Sequence, residues 1–597
     1  MSWIVCFCIS VVFIIISIIY AIVASSNRKQ KSNRGMILSP IRIMFIGLIL
    51  ASVFMFIPVY IYEYNLNGFH VFEAILLSIH NMIRLFFVDG ELSFIKDHVE
   101  QNNLFGDFYF VYASFLFIGS SIATVGFILS FFKSLTARLK LRFTRKSSIY
   151  LFSSLNENSL ILAKDIYTHD KDCIIVFFDV YEATEGDDPA DVLIKEAQRL
   201  GFICFKDDIL NFSLSKTRNN MFLHVFIIHD NESDNAYKAL KLFQIYKDRD
   251  KTNFYVFSSQ IESEVLLAKA DSGKILVRRI NSIRSFIYYE LYNNGLKLFQ
   301  NAVSVGSEKV ISIVIVGMGN YGTEMLKALT WFCQMDGYHI QINAFDNDED
   351  ALNRFRAMCP ELMDSAHNGN FSDDGEAQYI INIHSGMRFD TPFFYQALRD
   401  IKQISYVFVA LDNDVDNIRT ATNLRMFFER MGIHPTIQSI VKSTAKKEAL
   451  ENATNYSNQP YDIQYVGDAE SLYSRNVIIN SDLETEALNR HLRWGKEDDF
   501  WRFDYNHNSS MASALHTKLK KALDIPGARV LPDQRSEEEK VALRKLEHRR
   551  WNAYMRTEGY VFSGSLEKRS RNNLGKMHHC LVTFDLLSPE EQQKDDH

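Results

Sequence analysis

Residues 310–322 read Val-Ile-Ser-Ile-Val-Ile-Val-Gly-Met-Gly-Asn-Tyr-Gly. The nearly unbroken apolar run 310–316 predicts a strand buried on both faces, as in a parallel sheet. It feeds directly into the loop Gly317-Met318-Gly319-Asn320-Tyr321-Gly322, and 324–332 continues with helical spacing. Each glycine has a separate physical job. Gly317 allows the tight turn, Gly319 lets backbone approach a phosphate, and Gly322 lets the helix pack on the sheet. The helix N-terminus then offers free N–H groups and partial positive charge to an anion. Asp346 ends the following strand, where a carboxylate can accept bonds from ribose hydroxyls. The expected ligand is a nucleotide: NAD or NADH, ATP or ADP, or a signalling cyclic nucleotide.

Working outward, short β-rich runs alternate with helical segments from about residue 147. Candidate strands lie at 149–152, 173–178, 202–205, 224–228, 254–257 and 275–278. A second set lies at 310–316, 339–345, 379–383, 405–411, 436–440 and 463–466. Such alternation predicts doubly wound parallel sheets. The two sets match in rhythm: Asp179 and Asp346 end the second strands, and Asp230 and Asp412 follow the fourth. This predicts an internal duplication, with Rossmann-like domains at 147–300 and 301–480. The first copy has Ser153-Ser154-Leu155-Asn156-Glu157-Asn158-Ser159 in place of the glycine loop. Its Cβ atoms hinder a phosphate and Glu157 repels one.

The front of the chain is different. Apolar stretches at 3–25, 41–62 and 108–132 are each near or above the ~20 residues needed to cross a bilayer. The stretch 70–88 carries His70, Glu73, His80 and Arg84, and a charge at mid-bilayer costs at least ~2.5 kcal/mol. Basic residues follow the first span (Arg28, Lys29, Lys31, Arg34) and the last (Lys133, Arg138, Lys140, Arg142, Arg145, Lys146), and 89–107 is acidic. Both basic clusters fall on the cytoplasmic side if the N-terminus is outside, three segments cross, and 70–88 is re-entrant or interfacial. The expected location is therefore the plasma (inner) membrane, multi-pass, with the soluble domains cytoplasmic. Helix, re-entrant helix, helix is the layout of a cation-channel pore module, which makes Asp89 and Glu91, in the turn 88–91, candidate pore residues. Thr124-Val125-Gly126-Phe127 resembles a potassium filter, but it sits inside a continuous apolar span with no later helix to complete a pore.

Composition narrows the partners. The net charge of −7, with no strongly basic soluble block, argues against nucleic acid as a partner. The seven cysteines are scattered without zinc or redox spacing, in keeping with a reducing compartment.

Membrane helices followed by tandem nucleotide folds, with GMGNYG and Asp346 in place, resemble the regulator-of-potassium-conductance family of ligand-gated channels and Trk-type uptake systems. The resemblance spans about 147–470. It implies cytoplasmic folds that assemble beneath a pore as a homo-oligomer, a dimer or tetramer, and gate it on ligand binding.

After about 480 the αβ rhythm stops, and 535–560 predicts one helix with Gly559 as its C-cap. The segments LEHRRWNAYMRTEGY (546–560) and HHCLVTFDLLSPEEQQKD (578–595) resemble the ryanodine-receptor repeat domain. That resemblance implies a small helical module, at 481–597, used for ligand recognition or assembly. His548, Arg549, Arg550, Trp551 and Asn552 form a candidate C-terminal ligand site, since Arg beside Trp can stack on a base and pair with phosphate. His578 and His579 are adjacent, with no further ligand at matching spacing, so no metal centre is expected.

The predicted fold class is an α-helical membrane domain (1–132), a basic linker (133–146), two Rossmann-like doubly wound parallel sheets, and a small C-terminal helical domain. The function expected is a ligand-gated, cation-conducting channel or pore in the lipid bilayer. No catalytic constellation accompanies either loop, so no enzyme is expected. The alternatives are an antiphage membrane effector triggered by a signalling nucleotide and a membrane-anchored NAD-dependent enzyme.

Overall fold

The structure, a computed structural model, describes residues 3–27, 40–64, 70–87, 89, 92–99, 103–143, 146–180, 189–214, 220–229, 231–268, 270–306, 308–370, 378–401, 403–451, 453–455, 457–479 and 481–594. Arg28, Lys29, Lys31, Arg34, Glu91, Arg145 and Asp230 lie outside these, as do the side chains of His70, Lys133, Arg138, Lys140 and Arg142.

The chain divides into two compact units, one of them formed mainly by residues 1–145. That unit holds α1 (Trp3–Asn27), α2 (Pro40–Tyr64), α3 (His70–Phe86), α4 (Leu92–His98) and α5 (Leu104–Phe143). Three of these helices are long and apolar enough to cross a membrane, through windows Trp3–Tyr20, Met44–Tyr62 and Leu104–Thr124. They coincide with the three expected spans. At 17 residues, α3 is ~26 Å long, short of the ~30 Å hydrocarbon core. Its Ala74, Ser78, Asn81 and Leu85 form one buried stripe, while Glu73, Leu76, His80 and Ile83 are exposed. Small and hydroxyl residues let the helices approach closely. A Cβ on Gly47 would collide with Ser17, and Ser10 Oγ donates to Ala51 O (2.7 Å). The basic stretch after the last span is not a separate connector, because α5 runs on unbroken to Phe143.

The second unit begins at Lys146. Its first sheet contains β1 (Ser148–Phe152), β2 (Cys173–Phe177), β3 (Ile203–Cys204), β4 (Phe222–Ile227), β5 (Thr252–Phe257) and β6 (Leu276–Ile280), in the order β3-β2-β1-β4-β5-β6. All its neighbours are parallel. Interleaved are α6 (Glu157–His169), α7 (Pro189–Arg199), α8 (Glu232–Tyr246) and α9 (Ile261–Ala268). After β6 come α10 (Ser282–Asn294) and α11 (Leu296–Gln300).

The second sheet repeats this order. It comprises β7 (Val303–Val305), β8 (Glu308–Val316), β9 (Tyr338–Phe345), β10 (Tyr379–His384), β11 (Tyr406–Val409), β12 (Thr436–Ile440) and β13 (Ile463–Val466). The path is β10-β9-β8-β11-β12-β13, all parallel, with β7 antiparallel on β8. Its helices are α12 (Asn320–Phe332), α13 (Ala351–Met358), α14 (Pro392–Asp400), α15 (Asp414–Met431) and α16 (Thr444–Glu451). Both sheets thus have the doubly wound Rossmann order, with a crevice where strand order reverses. All twelve expected strands are present. Short β7 was not anticipated.

The C-terminal part is helical: α17 (Ala469–Leu472), α18 (Arg475–Ile478), α19 (Asp482–His491), α20 (Glu497–Arg502), α21 (Asp504–Ala522) and α22 (Glu537–Thr557). It closes with the two-stranded pair β14 (Val561–Phe562) and β15 (Met577–His578), then α23 (Pro589–Gln593). A capping box of Ser536 and Glu539 starts α22. Glu558 is its C-cap, and Gly559 follows at φ +81°. These helices share one hydrophobic core with the second sheet. Trp331 of α12, fully buried, meets Tyr288 of α10 (5.4 Å) and Tyr554 of α22 (6.0 Å) edge-on. Hydrogen bonds repeat the link: His516 Nε2 donates to Gln334 O (2.7 Å), and Phe562 N–H donates to Glu361 Oε1 (2.6 Å).

Candidate functional site

The crevice of the second sheet opens between β8 and β11, and its floor is the glycine loop. Gly317 holds φ +97°, a left-handed conformation that disfavours side chains, and a Cβ there would strike Ala410 O on the neighbouring strand. A Cβ on Gly322 would strike the Gly317 carbonyl. Gly319 is the opposite case. It is exposed, and a Cβ there would meet nothing within 4 Å. Gly319 is also the N-cap of α12, with no side-chain cap bond and no acidic residue in the first turn. The helix therefore presents uncapped N–H groups and its positive dipole end to open space.

Asp346 is buried beneath this loop. Its Oδ2 accepts the Met318 N–H (2.5 Å) and its Oδ1 accepts the Asp348 N–H (2.8 Å). The carboxylate thus holds the glycine loop in shape, a role that the ribose expectation did not include. Thr323 Oγ1 donates to Met318 O (2.8 Å) and fastens the loop from the other side. The Asp350 N–H, and then Arg354, which pairs with Asp348, hold its carboxyl below the usual range.

The remaining predicted residues divide by direction. Asn320 is exposed at the helix start. Tyr321 turns away from the crevice and packs edge-on against Phe286 (6.3 Å), and burial raises its pKa. Asp412 is exposed on the loop after β11, at the far lip of the crevice. Next to it, buried Asn417 clamps Leu411 through its N–H (2.6 Å) and carbonyl (3.1 Å). Sequence reasoning missed both Thr323 and Asn417. A hydroxyl just after the third glycine and an amide in the first turn of α15 were the available signals.

The first sheet closes the equivalent place. Ser153 Oγ accepts the Ile228 N–H (2.9 Å), and Ser154 Oγ donates to Ile228 O across the strand reversal. Asn156 and Ser159 form a capping box on α6, whose first residue is Glu157. The Ser159 and Asn156 N–H groups are thereby bonded within the helix start, and a carboxylate stands beside them.

Below the open loop, α12 is tied to two other helices by charge. Arg284 of α10 pairs with Glu324 of α12 (2.9 Å) and with Glu558 after α22 (3.1 Å). Burial disfavours the Arg284 charge, but the two carboxylates outweigh it and raise its pKa further.

The five candidate residues on α22 do not converge on one surface. His548 Nε2 and Asn552 Nδ2 both donate to Val582 O (2.9 and 3.0 Å). Arg549 pairs with Asp336 (2.6 Å). Trp551 stands edge-on to His578 (4.9 Å). Arg550 enters a buried network with Glu547 (2.9 Å), which also binds Lys520 (3.2 Å) and Ser513 (2.8 Å). In the membrane unit, the Asp89 carboxylate pairs with Arg84 (3.2 Å) and is otherwise exposed.

No protein-family model matches the chain, and no curated protein matches it. Among solved structures that align is the crystal structure of a GsuK mutant. It has 13% identity and a TM-score of 0.30, over 73% of this chain and 98% of that one.

Proposed function

We propose that the chain is a subunit of an oligomeric membrane channel or pore, cation-conducting, whose opening is controlled by a nucleotide bound at the Gly317–Gly322 loop. The observation that carries this reading is the contrast between the two crevices. One is stitched shut by serines and a capped, acidic helix start; the other keeps an uncapped helix N-terminus and open space above Gly319. The role assigned to the loop is sensing, without turnover.

Coupling would begin at α12. A nucleotide seated there biases whichever arrangement of α10, α12 and α22 binds it better, and only that differential affinity can shift the channel. The last apolar helix, α5, continues to Phe143, four residues (144–147) before β1 starts at Ser148. A helix without a break transmits displacement better than a flexible connector. In this reading the N-terminus is outside, the second unit is cytoplasmic, and dimers or tetramers of the chain form the gate. The ryanodine-receptor-like helices add an assembly surface.

The test is calorimetry of the full-length protein in detergent against NAD, NADH, ATP, ADP and cyclic adenylates, with Gly319→Asp as control. Any ligand found is then tested for ion flux in liposomes. Binding lost in the variant, with flux dependent on the ligand, is expected. Binding unchanged by Gly319→Asp would sink the loop as sensor. Binding without flux would sink the channel reading.

A further inference from the structure

The end of the chain holds a cluster that the nucleotide site does not use. β15 leads into His578, His579 and Cys580, whose donor atoms all lie within 4.8 Å of one another and whose side chains are all buried. Eleven residues past Cys580, α23 brings Glu591 back to the same point. Glu591 Oε2 lies 3.5 Å from Cys580 Sγ, and Glu591 Oε1 lies 3.8 Å from His579 Nε2.

His579 is the telling residue. It is 5% exposed, and among the described residues neither ring nitrogen has a partner at hydrogen-bond distance, Glu591 standing off at 3.8 Å. A buried polar atom without a partner is costly and calls for an explanation, such as an ion. A neutral imidazole carries a lone pair for a metal. Lys594 contacts Glu591 Oε1 (2.5 Å), and Oε2 is the oxygen turned toward Cys580.

We infer that His578, His579, Cys580 and Glu591 bind one divalent cation of the zinc class. Two imidazoles, a thiolate and a carboxylate fill a tetrahedral shell, and the thiolate selects zinc or cobalt over magnesium and calcium. Metal–ligand bonds of ~2.0–2.3 Å require the donors to draw in by about 1 Å. His578 Nδ1 now accepts the Cys580 N–H (3.1 Å), a bond that ligation through that nitrogen replaces. The Cys580 thiol gives up its proton to solvent as the sulfur–metal bond forms. The gain is a staple: α23 has five residues, and the metal ties it to β15.

The test uses the full-length protein in detergent, stripped with a chelator and titrated with Co²⁺. One ion per chain is expected, with the visible bands of tetrahedral Co²⁺ and an ultraviolet thiolate charge-transfer band, both displaced by Zn²⁺. Cys580→Ser should abolish the charge-transfer band. Glu591→Gln, at a half-buried position near the chain end and compatible with folding, should weaken affinity about tenfold or more. No uptake by the wild-type chain would overturn the site. So would an unchanged spectrum in Cys580→Ser, or unchanged affinity in Glu591→Gln.

Discussion

At the scale of single residues, Gly319 and Gly322 separate binding from folding. A methyl group at Gly319 enters open space, while one at Gly322 collides with the Gly317 carbonyl. Gly319→Ala should therefore cost about 1 kcal/mol or less of stability, the difference between N-caps. It should still weaken the nucleotide by about tenfold, because its Cβ stands where a phosphate would approach. Gly322→Ala should lower stability by about 1–3 kcal/mol through overpacking. Thermal unfolding and calorimetry on both variants check the pair, and equal effects on both readouts would remove the distinction. The spacing of these glycines was legible in the sequence because each answers a backbone requirement. The use of Asp346 was not. Its position at the end of β9 could be read, but its bonds to the Met318 and Asp348 N–H groups depend on how the loop folds back.

Among the elements, the parallel strands were the most legible, since burial on both faces writes them as apolar runs. β7 has three residues, pairs only with the start of central strand β8, and leaves no such run. The packing of α21 against α22 was hidden, because its partners are distant in sequence and polar. Glu547 is buried facing Lys520 and Arg550, and these cations outweigh burial to hold its carboxyl well below the usual range. Arg490, bonded to Ser513 (3.1 Å), is pushed down to about 10, chiefly by burial. Glu547→Gln removes the counter-charge and should cost roughly 3–5 kcal/mol, read as a lower melting temperature. His516 in the same helix is fully buried, and burial, with Lys520 and Arg550 nearby, drops its pKa to about 4 despite Glu547. The unfolded chain binds that proton near pH 6.5 and the folded chain only near 4. Stability is thus complete above pH 6.5 and is lost as pH falls from 6.5 to 4, by on the order of 3 kcal/mol for this group. Melting curves across that range should show the loss. His516→Gln should flatten it by about one proton's worth, with other histidines of depressed pKa, among them His224 and His507, contributing to the remainder.

For the second unit as a whole, the C-terminal helices are a structural part of the second nucleotide fold. The rhythm of the sequence breaks near residue 480, which invites a domain boundary there. Contacts cross it throughout. α12 sets Trp331 against Tyr554 on α22, α21 holds Gln334 through His516, and Arg284 reaches Glu558. The buried core runs from Phe286 through Ile313 and Leu326 to Leu515, Leu546 and Met555 without interruption. Cutting the chain at 480 would bare the outer face of α12, including Trp331, and strip Arg284 of Glu558. Exposing a face of that kind removes several side chains' worth of burial, at roughly 1.5–3 kcal/mol each, against a net stability of only ~5–15 kcal/mol. Fragment 147–480 should therefore aggregate or unfold, whereas 147–597 should stay soluble. The longer fragment should melt with its second nucleotide fold and C-terminal helices in one transition. Differential scanning calorimetry of the two fragments decides it. A folded, soluble 147–480 with native-like melting would show the C-terminal helices to be an accessory module, and would remove α22 from the coupling proposed between the Gly317–Gly322 loop and a gate.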